Sequence, residues 1–234
     1  MILPVLEAVD IVKILGRGPS QVQALKGVSL SLAGGELMLL MGPSGSGKTT
    51  LLSILGCILS PSSGQIRVCG QTTASLQPEE MAKLRRDYLG FIFQSYHLFP
   101  TLTAVDNVQL ALDVRGEASA PAIVKAKAAL ATVGLSHKTK SFPRELSHGE
   151  QQRVAIARAI VGNPSVILAD EPTSALDSEN GRAIMKVLAE IAKKQSCGVL
   201  VVTHDPRIVP FADRIVRIED GRIVGEEGCG VGIK

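Results

Sequence analysis

Short apolar segments separated by glycines fill the first third of the chain and predict β-strands. Residues 22–32 and 36–41 are strand-like, and the second segment is apolar enough to be buried on both faces of a sheet. An apolar helix is predicted from Thr49 to about Leu59, where a turn signal follows. The alternation over residues 65–69 predicts a further strand with one buried face.

The pattern changes in the middle third, where apolar residues recur at helical spacing. The helices predicted there cover residues 77–87, 103–115, 119–133 and the stretch from Ser147 to about Val161. In the last third a helix from about Ser178 to Lys194 lies between strands at 166–170 and 198–205, and the segment 214–224 alternates around an Asp-Gly hairpin turn. This order predicts an α/β fold, with helices covering a mainly parallel sheet and a helix-rich insertion between its two halves.

Composition and charge narrow the classes of protein. The 234 residues carry 25 Lys and Arg against 22 Asp and Glu, and a net charge of +3 predicts neither nucleic acid nor an anionic membrane surface as a partner. The N-terminal residues lack the basic and apolar regions of a signal peptide, and no segment approaches the ~18 unbroken apolar residues of a membrane span. We therefore expect any membrane crossing to come from another chain. The dispersed cysteines favour reduced thiols in a cytosolic protein over a zinc site or disulfides, at Cys57, Cys69, Cys197 and Cys229.

Residues 42–49 match the phosphate-binding pattern G-x-x-x-x-G-K-[ST] between a predicted buried strand and a predicted helix. Glycines let backbone N–H groups turn toward phosphate oxygens, and the helix N-terminus attracts the anion. Lys48 supplies a charge to the β- and γ-phosphates, and Thr49 supplies a hydroxyl ligand for Mg²⁺. A flexible Gly/Ser turn does not account for the flanking strand and helix. The predicted nucleotide-binding residues are Gly42, Pro43, Ser44, Gly45, Ser46, Gly47, Lys48, Thr49 and Thr50.

The strand predicted at 166–170 ends in two adjacent carboxylates, Asp170 and Glu171. Ligands of open α/β sheets bind at the carboxyl ends of the strands. We therefore predict that Asp170 lies in the Mg²⁺ shell and that Glu171 takes a proton from an attacking water. Such a pair alone is more often a solvated strand end, and it is the phosphate loop that favours the functional interpretation.

Residues 146–153 read Leu-Ser-His-Gly-Glu-Gln-Gln-Arg. Ser147 and Glu150 have the spacing of a capping box, so a helix is predicted to begin here with free N–H groups. The segment resembles LSGGEQQR, the signature of ATP-binding-cassette (ABC) ATPases. The family's other motifs occur in the expected order along the chain, with Gln94 in GFIFQ, ADEPTSALD at 169–177 and His204 in VVTHD.

The resemblance implies a single ABC ATPase domain over residues 1–234 with the fold of P-loop NTPases. Its RecA-like core would cover about 1–94 and 164–234, with an N-terminal antiparallel β portion, and its helical subdomain would cover about 95–163. The cofactors would be ATP and Mg²⁺. Two copies would form a homodimer with the ATP molecules sandwiched between them.

Roles for individual side chains follow from the same resemblance. The signature residues would contact the ATP held by the opposite subunit, and the loop 174–177 would cross between subunits. The resemblance gives the catalytic residues Glu171, His204 and Gln94, the metal ligands Thr49, Gln94 and Asp170, and further nucleotide contacts from Ser147, His148, Gly149, Glu150 and Asp177.

Two positions depart from the family pattern. His148 stands where the signature most often has Gly, which would place an imidazole beside the partner's γ-phosphate and tune activity. The aromatic residue that stacks on adenine aligns with Leu15, and no aromatic residue precedes Tyr88. Adenine would then pack on aliphatic side chains such as Leu15 and Val22, losing ~1 kcal/mol of stacking. We therefore expect weak discrimination between nucleotide bases.

Five of the seven aromatic residues fall within residues 88–99. Packing between the sheet and the helical insertion accounts for Phe91 and Phe93. Tyr96, Phe99 and the adjacent residues directly follow Gln94, and in the family this region holds a short cytoplasmic helix of the transmembrane subunit. An exposed apolar patch with a polar rim is what such docking requires, so a permease is expected to dock near Gln94–Pro100.

Longer stretches resemble the ATPase subunits that serve macrolide exporters, lipoprotein release and the glycolipid exporter of cyanobacterial heterocysts. That resemblance implies a peripheral subunit on the cytoplasmic face of the inner membrane that drives a separate permease. A periplasmic adaptor would be a further component of the complex. A soluble ABC ATPase of DNA repair or translation is disfavoured, since those usually carry duplicated cassettes or long insertions. A mechanotransmission ATPase, acting through a permease-like partner without transporting substrate, stays open.

Overall fold

A computed structural model describes residues 4–229, apart from the side chain of Pro19. The strands are β1 (Pro4–Leu15), β2 (Val22–Ala33), β3 (Leu37–Met41), β4 (Ser63–Val68), β5 (Gln71–Thr72), β6 (Leu89–Ile92), β7 (Val166–Asp170), β8 (Gly198–Thr203), β9 (Arg214–Glu219) and β10 (Arg222–Gly228). The α-helices are α1 (Lys48–Leu55), α2 (Pro78–Tyr88), α3 (Ala104–Asp113), α4 (Ser119–Thr132), α5 (His148–Ile160) and α6 (Ser178–Gln195), and 3₁₀ turns cover Gly18–Ser20, Ser136–Lys138, Pro143–Glu145 and Pro206–Phe211. Within residues 4–229, no helix combines the length and apolar character that crossing a bilayer requires.

The main sheet has six strands in the order β10-β9-β3-β8-β7-β6. All neighbouring strands from β9 to β6 run parallel, and β10 pairs antiparallel with β9. The two residues of the β9–β10 turn, Asp220 and Gly221, have φ of 46° and 74°, as a tight hairpin loop of this kind requires. The predicted mainly parallel sheet and its Asp-Gly hairpin are confirmed.

Strand β3 lies in the middle of the core and is buried along its whole length. Because side chains alternate across a strand, Leu37, Leu39 and Met41 enter one hydrophobic cluster while Met38 and Leu40 enter another. The first cluster holds side chains of helices α3–α6, and the second holds those of α1 and the second sheet. The continuous apolar pattern of residues 36–41 therefore reflects packing on both faces.

The second sheet is antiparallel and has the order β2-β1-β4-β5. The sequence pattern predicts β2 and β4 but misses β1, which pairs with both of them. Charged residues at Glu7, Asp10 and Lys13 interrupt the apolar pattern of β1, and Asp10 has a φ of 50° at an irregularity in the pairing. The N-terminal antiparallel portion implied by the resemblance is confirmed.

The helix-rich segment is inserted between β6 and β7, which are neighbours in the main sheet. Helix α5 connects this segment to the main sheet, because α5 packs on β6 as well as on α3, α4 and α6. Strand β6 is missing from the sequence prediction since only four residues form it. The limits of a separate helical subdomain at about 95–163 stay a prediction.

Helix α1 is shorter than the sequence predicts. It ends at Leu55 and not near Leu59, because Gly56 and Cys57 turn the chain, and Cys57 adopts a left-handed conformation with φ of 55°. The Arg85 guanidinium donates to the Cys57 carbonyl oxygen at 2.6 Å and so stabilises the turn. Burial raises the pKa of the Cys57 thiol to about 11, and all four cysteines are free.

Replacing Gly90 tests how closely α5 approaches β6. A Cβ atom at Gly90 would lie 2.5 Å from the Ala159 carbonyl oxygen, so helix and strand would have to separate. We expect Gly90→Ala to lower the free energy of unfolding by about 1–3 kcal/mol, measured by denaturant titration. Gly228→Ala is the matched control, since its Cβ meets no described atom within 4 Å. Equal stability of the two variants would contradict this account of the packing.

Candidate functional site

A cavity of about 770 Å³ opens at the carboxyl ends of β3, β7 and β8 and is called here the main cavity. This is the edge at which open α/β sheets bind ligands. Its walls come from the segments 22–24, 43–45, 47–50 and 220–221 together with single residues of other elements, namely Leu15, Gln94, Asp170, Glu171, Val202 and His204. The structure thus brings together the predicted phosphate loop, both carboxylates, Gln94 and His204.

The phosphate loop connects β3 to the start of α1. Gly47 is the N-cap of the helix and has φ of 99°, a conformation closed to most side chains. Because glycine has no side chain that could accept a hydrogen bond, the first N–H groups of α1 stay free at the cavity. The Lys48 ammonium donates to the carbonyl oxygens of Gly42 and Pro43, both at 2.7 Å. This folds the lysine along its own loop, with its charge among the residues that would surround a phosphate.

The β9–β10 turn supports the phosphate loop, a role that the sequence did not suggest. The Gly221 N–H donates to the Ser46 carbonyl at 3.1 Å, and Asp220 binds the Lys26 ammonium at 2.7 Å. Asp220 and Gly221 also line the main cavity. Strand β9 pairs with β3, so this turn returns the chain to the phosphate loop, but that pairing cannot be seen from sequence spacing.

Asp170 and Thr49 offer the ligand set that Mg²⁺ prefers, a carboxylate and a hydroxyl, and both line the main cavity. Burial, reinforced by the neighbouring Glu171 carboxylate, raises the pKa of Asp170, although Thr49 and Lys48 partly offset this. A cation bound here would relieve the cost of burying that charge. The Ser46 hydroxyl is also buried without a hydrogen-bond partner among residues 4–229, at the same loop. The residues present therefore fit a magnesium–nucleotide complex.

Glu171 is fixed through both of its carboxylate oxygens. Its Oε1 lies 2.7 Å from Nδ1 of His204, and the Thr203 hydroxyl donates to Oε2 at 3.2 Å. Glu171 also has φ of 47°, a left-handed conformation that costs an L-residue about 1–2 kcal/mol and that proteins keep mainly at functional sites. No local sequence pattern singles out Thr203; the pairing of Asp170 with Val202 in parallel strands places Glu171 beside it.

The aliphatic residues expected to contact adenine lie at the mouth of the main cavity. Leu15 and Val22 are directly opposite in the pairing of β1 with β2, and both line the cavity with Gln23 and Ala24. Among its described lining residues none is Phe, Tyr or Trp. Contact between these side chains and a nucleotide base stays a prediction.

The signature residues lie outside the main cavity, whose described lining does not include Ser147, His148, Gly149 or Glu150. The predicted capping box is confirmed, because the Glu150 N–H donates to Ser147 Oγ at 3.3 Å and the Ser147 N–H donates to Glu150 Oε2 at 2.8 Å. That backbone hydrogen bond is the main reason that the pKa of Glu150 is lowered.

Asp177 is also absent from the described lining of the main cavity and begins helix α6 as its N-cap. Its carboxylate accepts hydrogen bonds from the backbone and side chain of Asn180 at 2.9 and 2.7 Å, which lower its pKa. A Cβ at Gly149 would lie 3.1 Å from the Asn180 side-chain oxygen. Asn180, which the sequence analysis did not single out, therefore joins the start of α6 to the signature.

Comparison with known proteins identifies the family. The profile described as "ABC transporter" matches residues 25–174. The chain belongs to the ABC transporter family. This confirms the resemblance drawn from the five ordered motifs.

Two relatives of this ABC family member are macrolide export ATP-binding/permease proteins named MacB. The protein of Burkholderia pseudomallei (strain K96243) is 46% identical over 223 residues, and that of Escherichia coli (strain K12) is 44% identical over 221 residues. These alignments cover 95% and 94% of this chain. The chain spans only about a third of the length of either relative, 34% in both cases.

Solved structures of ABC cassettes share the fold. A dimeric structure of the ATP-binding cassette MJ0796, in a post-hydrolysis state bound to ADP and Pi, matches with a TM-score of 0.88 and 39% identity. The match covers 95% of this ABC chain and 98% of the other. The protein cbiO1 of Clostridium perfringens, part of the transporter complex cbiONQ, matches with a TM-score of 0.86 and 28% identity, over 96% of this chain and 88% of the other.

The raised pKa of Asp170 predicts a cost to stability. Because its folded-state pKa lies above the usual value, the folded chain binds more protons than the unfolded chain between the two, and this contribution to stability is lost as the pH rises. We therefore expect Asp170→Asn to raise the melting temperature at neutral pH in EDTA. The advantage should shrink as the pH falls below ~4, the usual aspartate pKa, because aspartate then becomes protonated in both states.

The control for this prediction is Asp113→Asn, which changes an exposed carboxylate on α3. Thermal unfolding followed by circular dichroism at several pH values measures both variants. An unchanged or lowered melting temperature of Asp170→Asn at neutral pH would contradict the assigned cost.

Proposed function

We propose that this chain binds and hydrolyses MgATP as one of two identical cassettes that close around two nucleotides and drive a separate transmembrane permease. The observation that carries the proposal is the division of the predicted site residues into two groups. The phosphate loop, Asp170, Glu171, Gln94 and His204 share the main cavity, whereas Ser147, Gly149 and Asp177 lie elsewhere on the same chain. A second copy placed head to tail would bring its signature to the first copy's phosphate loop.

The residues of the main cavity supply the steps that hydrolysis needs. The free N–H groups of the phosphate loop and the Lys48 ammonium would hold the β- and γ-phosphates. Glu171, oriented by Thr203 and His204, would accept a proton from the attacking water, aligned with the γ-phosphate. Mg²⁺ held by Thr49, Asp170 and Gln94 would neutralise charge on the phosphate oxygens. Gln94 is exposed two residues after β6, so its position depends on the segment that follows.

Removing the proton acceptor should separate binding from hydrolysis. Glu171→Gln keeps the shape of the side chain but cannot take a proton from water. We expect its ATPase rate to fall by about 10²–10⁴-fold, measured as phosphate release, while ATP affinity stays within a few-fold of the parent. Wild-type turnover by Glu171→Gln would exclude Glu171 as the base.

Dimerisation tests the proposed function itself. We expect the Glu171→Gln chain to elute as a monomer without nucleotide and as a dimer with MgATP in size-exclusion chromatography. Adding Ser147→Arg should abolish the dimer and leave ATP binding by the monomer unchanged, because Ser147 does not line the chain's own cavity.

The control for Ser147→Arg must also lose a helix cap, since Ser147 is the N-cap of α5. Thr103→Arg serves this purpose, because Thr103 caps α3 through the same kind of capping box. Each change should cost about 1 kcal/mol of stability. A dimer that survives Ser147→Arg, or disappears equally in Thr103→Arg, would contradict the head-to-tail arrangement.

The permease is proposed to dock in a second cavity of about 600 Å³ beside residues 94–100, called here the arginine groove. Exposed apolar side chains from three separate connecting segments line it, with Ile58 57%, Phe99 50% and Val114 64% exposed. Phe91 and Phe93, which stack on each other with ring centroids 5.8 Å apart, also line it. These two rings, which were expected to pack between the sheet and the helical insertion, therefore also line the expected partner surface.

Arginines give this groove a positive rim. Arg85, Arg115 and Arg158 line it, and their guanidinium groups donate to backbone carbonyl oxygens of Cys57, Gly162, Tyr96 and His97. Such bonds to neutral carbonyl oxygens occupy one or two N–H groups of each guanidinium and leave its positive charge in place. An amphipathic cytoplasmic helix of the permease, with an apolar face and carboxylates beside it, fits both the apolar floor and this charge.

Two exposed valines provide a matched test of docking. Val114 lies in the arginine groove and is 64% exposed, whereas Val124 lies on α4 outside its lining and is 66% exposed. We expect Val114→Asp to reduce the fraction of the chain that sediments with native membranes by more than fivefold, and Val124→Asp to leave it unchanged. An equal response of the two variants would place the contact elsewhere.

Export is the proposed direction of transport, supported by the relatives' names and by the motifs described above. The whole MacB relatives are three times as long as this chain, so a permease here would be a separate chain or a further segment. We place the cassette at the cytoplasmic face of the inner membrane. Residues 95–163 are proposed to move as the helical subdomain against a core of 1–94 and 164–234, with a periplasmic adaptor as a further component of the complex.

A further inference from the structure

Tyr96 is held at two distant points of helix α5. Near the end of the helix, Arg158 donates to the carbonyl oxygens of Tyr96 and His97, each at 2.6 Å. At the first residue of the helix, Nδ1 of His148 lies 3.4 Å from the Tyr96 hydroxyl, with the two rings 6.1 Å apart. Ten residues of α-helix measure about 15 Å, so contacts of this one residue with the long Arg158 side chain and with the His148 ring link it to both ends of α5.

The backbone around Tyr96 is shaped to make these contacts. Tyr96 and His97 have φ of 60° and 49°, a left-handed conformation that L-residues adopt at a cost. His97 stacks on Phe93 with centroids 4.8 Å apart, which anchors the turn from its other side. Two consecutive residues in this conformation persist only where surrounding contacts determine them, and here the contacts of Tyr96 and His97 with α5 and with Phe93 do so.

We propose that Tyr96 is a positioning residue that couples the permease-docking segment to the signature, with His148 as its contact there. The inference rests on the proposed function, in which residues 94–100 border the permease and Ser147 and Gly149 meet the partner's ATP. Because Tyr96 holds both ends of α5, displacement of the segment moves the helix and its signature as one body. His148 then acts inside its own subunit, in addition to any contact across the dimer.

The hydrogen bond makes a specific demand on the imidazole. When Nδ1 of His148 accepts a hydrogen bond from the Tyr96 hydroxyl, the neutral imidazole must carry its own proton on Nε2. Tyr96→Phe removes only the hydroxyl, and Tyr88→Phe removes the chain's other tyrosine hydroxyl, which binds Gln71 at 3.0 Å outside both cavities. These two variants form a matched pair.

A double-mutant cycle in the Glu171→Gln chain tests the coupling. The measured quantity is the MgATP concentration that gives half-maximal dimer, for Tyr96→Phe, His148→Ala, the double variant and Tyr88→Phe. We expect Tyr96→Phe to raise it about threefold when His148 is present and to leave it unchanged in the His148→Ala background. Tyr88→Phe should have no effect, and ATP affinity of the monomer should not change in any variant.

A purely structural role for Tyr96 would give the same shift in both backgrounds, and that result, or no shift at all, overturns the proposal. If the parent Glu171→Gln chain fails to dimerise, the proposed function fails instead. Nitrogen NMR of the imidazoles gives a readout that needs no dimer. Tyr96→Phe should shift the His148 ring nitrogens and Tyr88→Phe should not, and unchanged His148 signals in Tyr96→Phe would exclude the contact.

Discussion

The structure depends on the close approach of three backbone segments around the carbonyl oxygen of Ala24. A Cβ on Gly47 would lie 2.7 Å from that oxygen, and a Cβ on Gly221 would lie 2.6 Å from it. Only glycine allows the phosphate loop and the β9–β10 turn to approach β2 so closely, and both adopt positive φ there. This contact fixes the antiparallel sheet, the loop and the main sheet relative to one another, and the main cavity is the space that they enclose.

Two carboxylates with different properties lie at that cavity. One is held in a fixed orientation, and the other lowers the stability of the folded chain when it is charged. Glu171 is oriented by Thr203 and His204, while the half-buried Asp170 beside it has a raised pKa. Keeping two adjacent carboxylates in a partly closed site favours a bound cation and disfavours the empty state. Sites of this kind commonly reduce stability to gain function.

The predicted site residues outside the main cavity are proposed to act on a nucleotide bound by a partner chain. Ser147, Gly149 and Asp177 form a local unit in which Asn180 joins the two helix starts. They lie at two helix N-termini outside the lining of the chain's own cavity, a position that would suit the phosphates of a nucleotide bound by a partner. The arginine groove lies beside the opposite end of α5, so in the proposed function one helix would connect the docking surface with the nucleotide interface.

Sequence patterns could predict the elements that are locally encoded. The phosphate loop, the strand ending at Asp170, the capping box at Ser147 and the Asp-Gly turn each depend on residues close together in the chain. Strand β1 could not be found because its stability comes from two partners and not from its own interrupted pattern. The bond from Thr203 to Glu171 and the contact of the Gly221 turn with the phosphate loop were missed for a related reason, since both come from pairing between distant segments. The contact of Tyr96 with His148 joins residues 52 positions apart and leaves no periodic signal.

Dilution of the wild-type chain measures most directly whether each subunit holds only half of every nucleotide site. ATP turnover per subunit would be followed from micromolar concentrations down to levels far below the dissociation constant of the ATP-bound pair. The two-copy account predicts that turnover per subunit falls in proportion to the fraction of paired chains. A turnover per subunit that stays constant across the whole range would show that one chain hydrolyses ATP alone and would contradict the account.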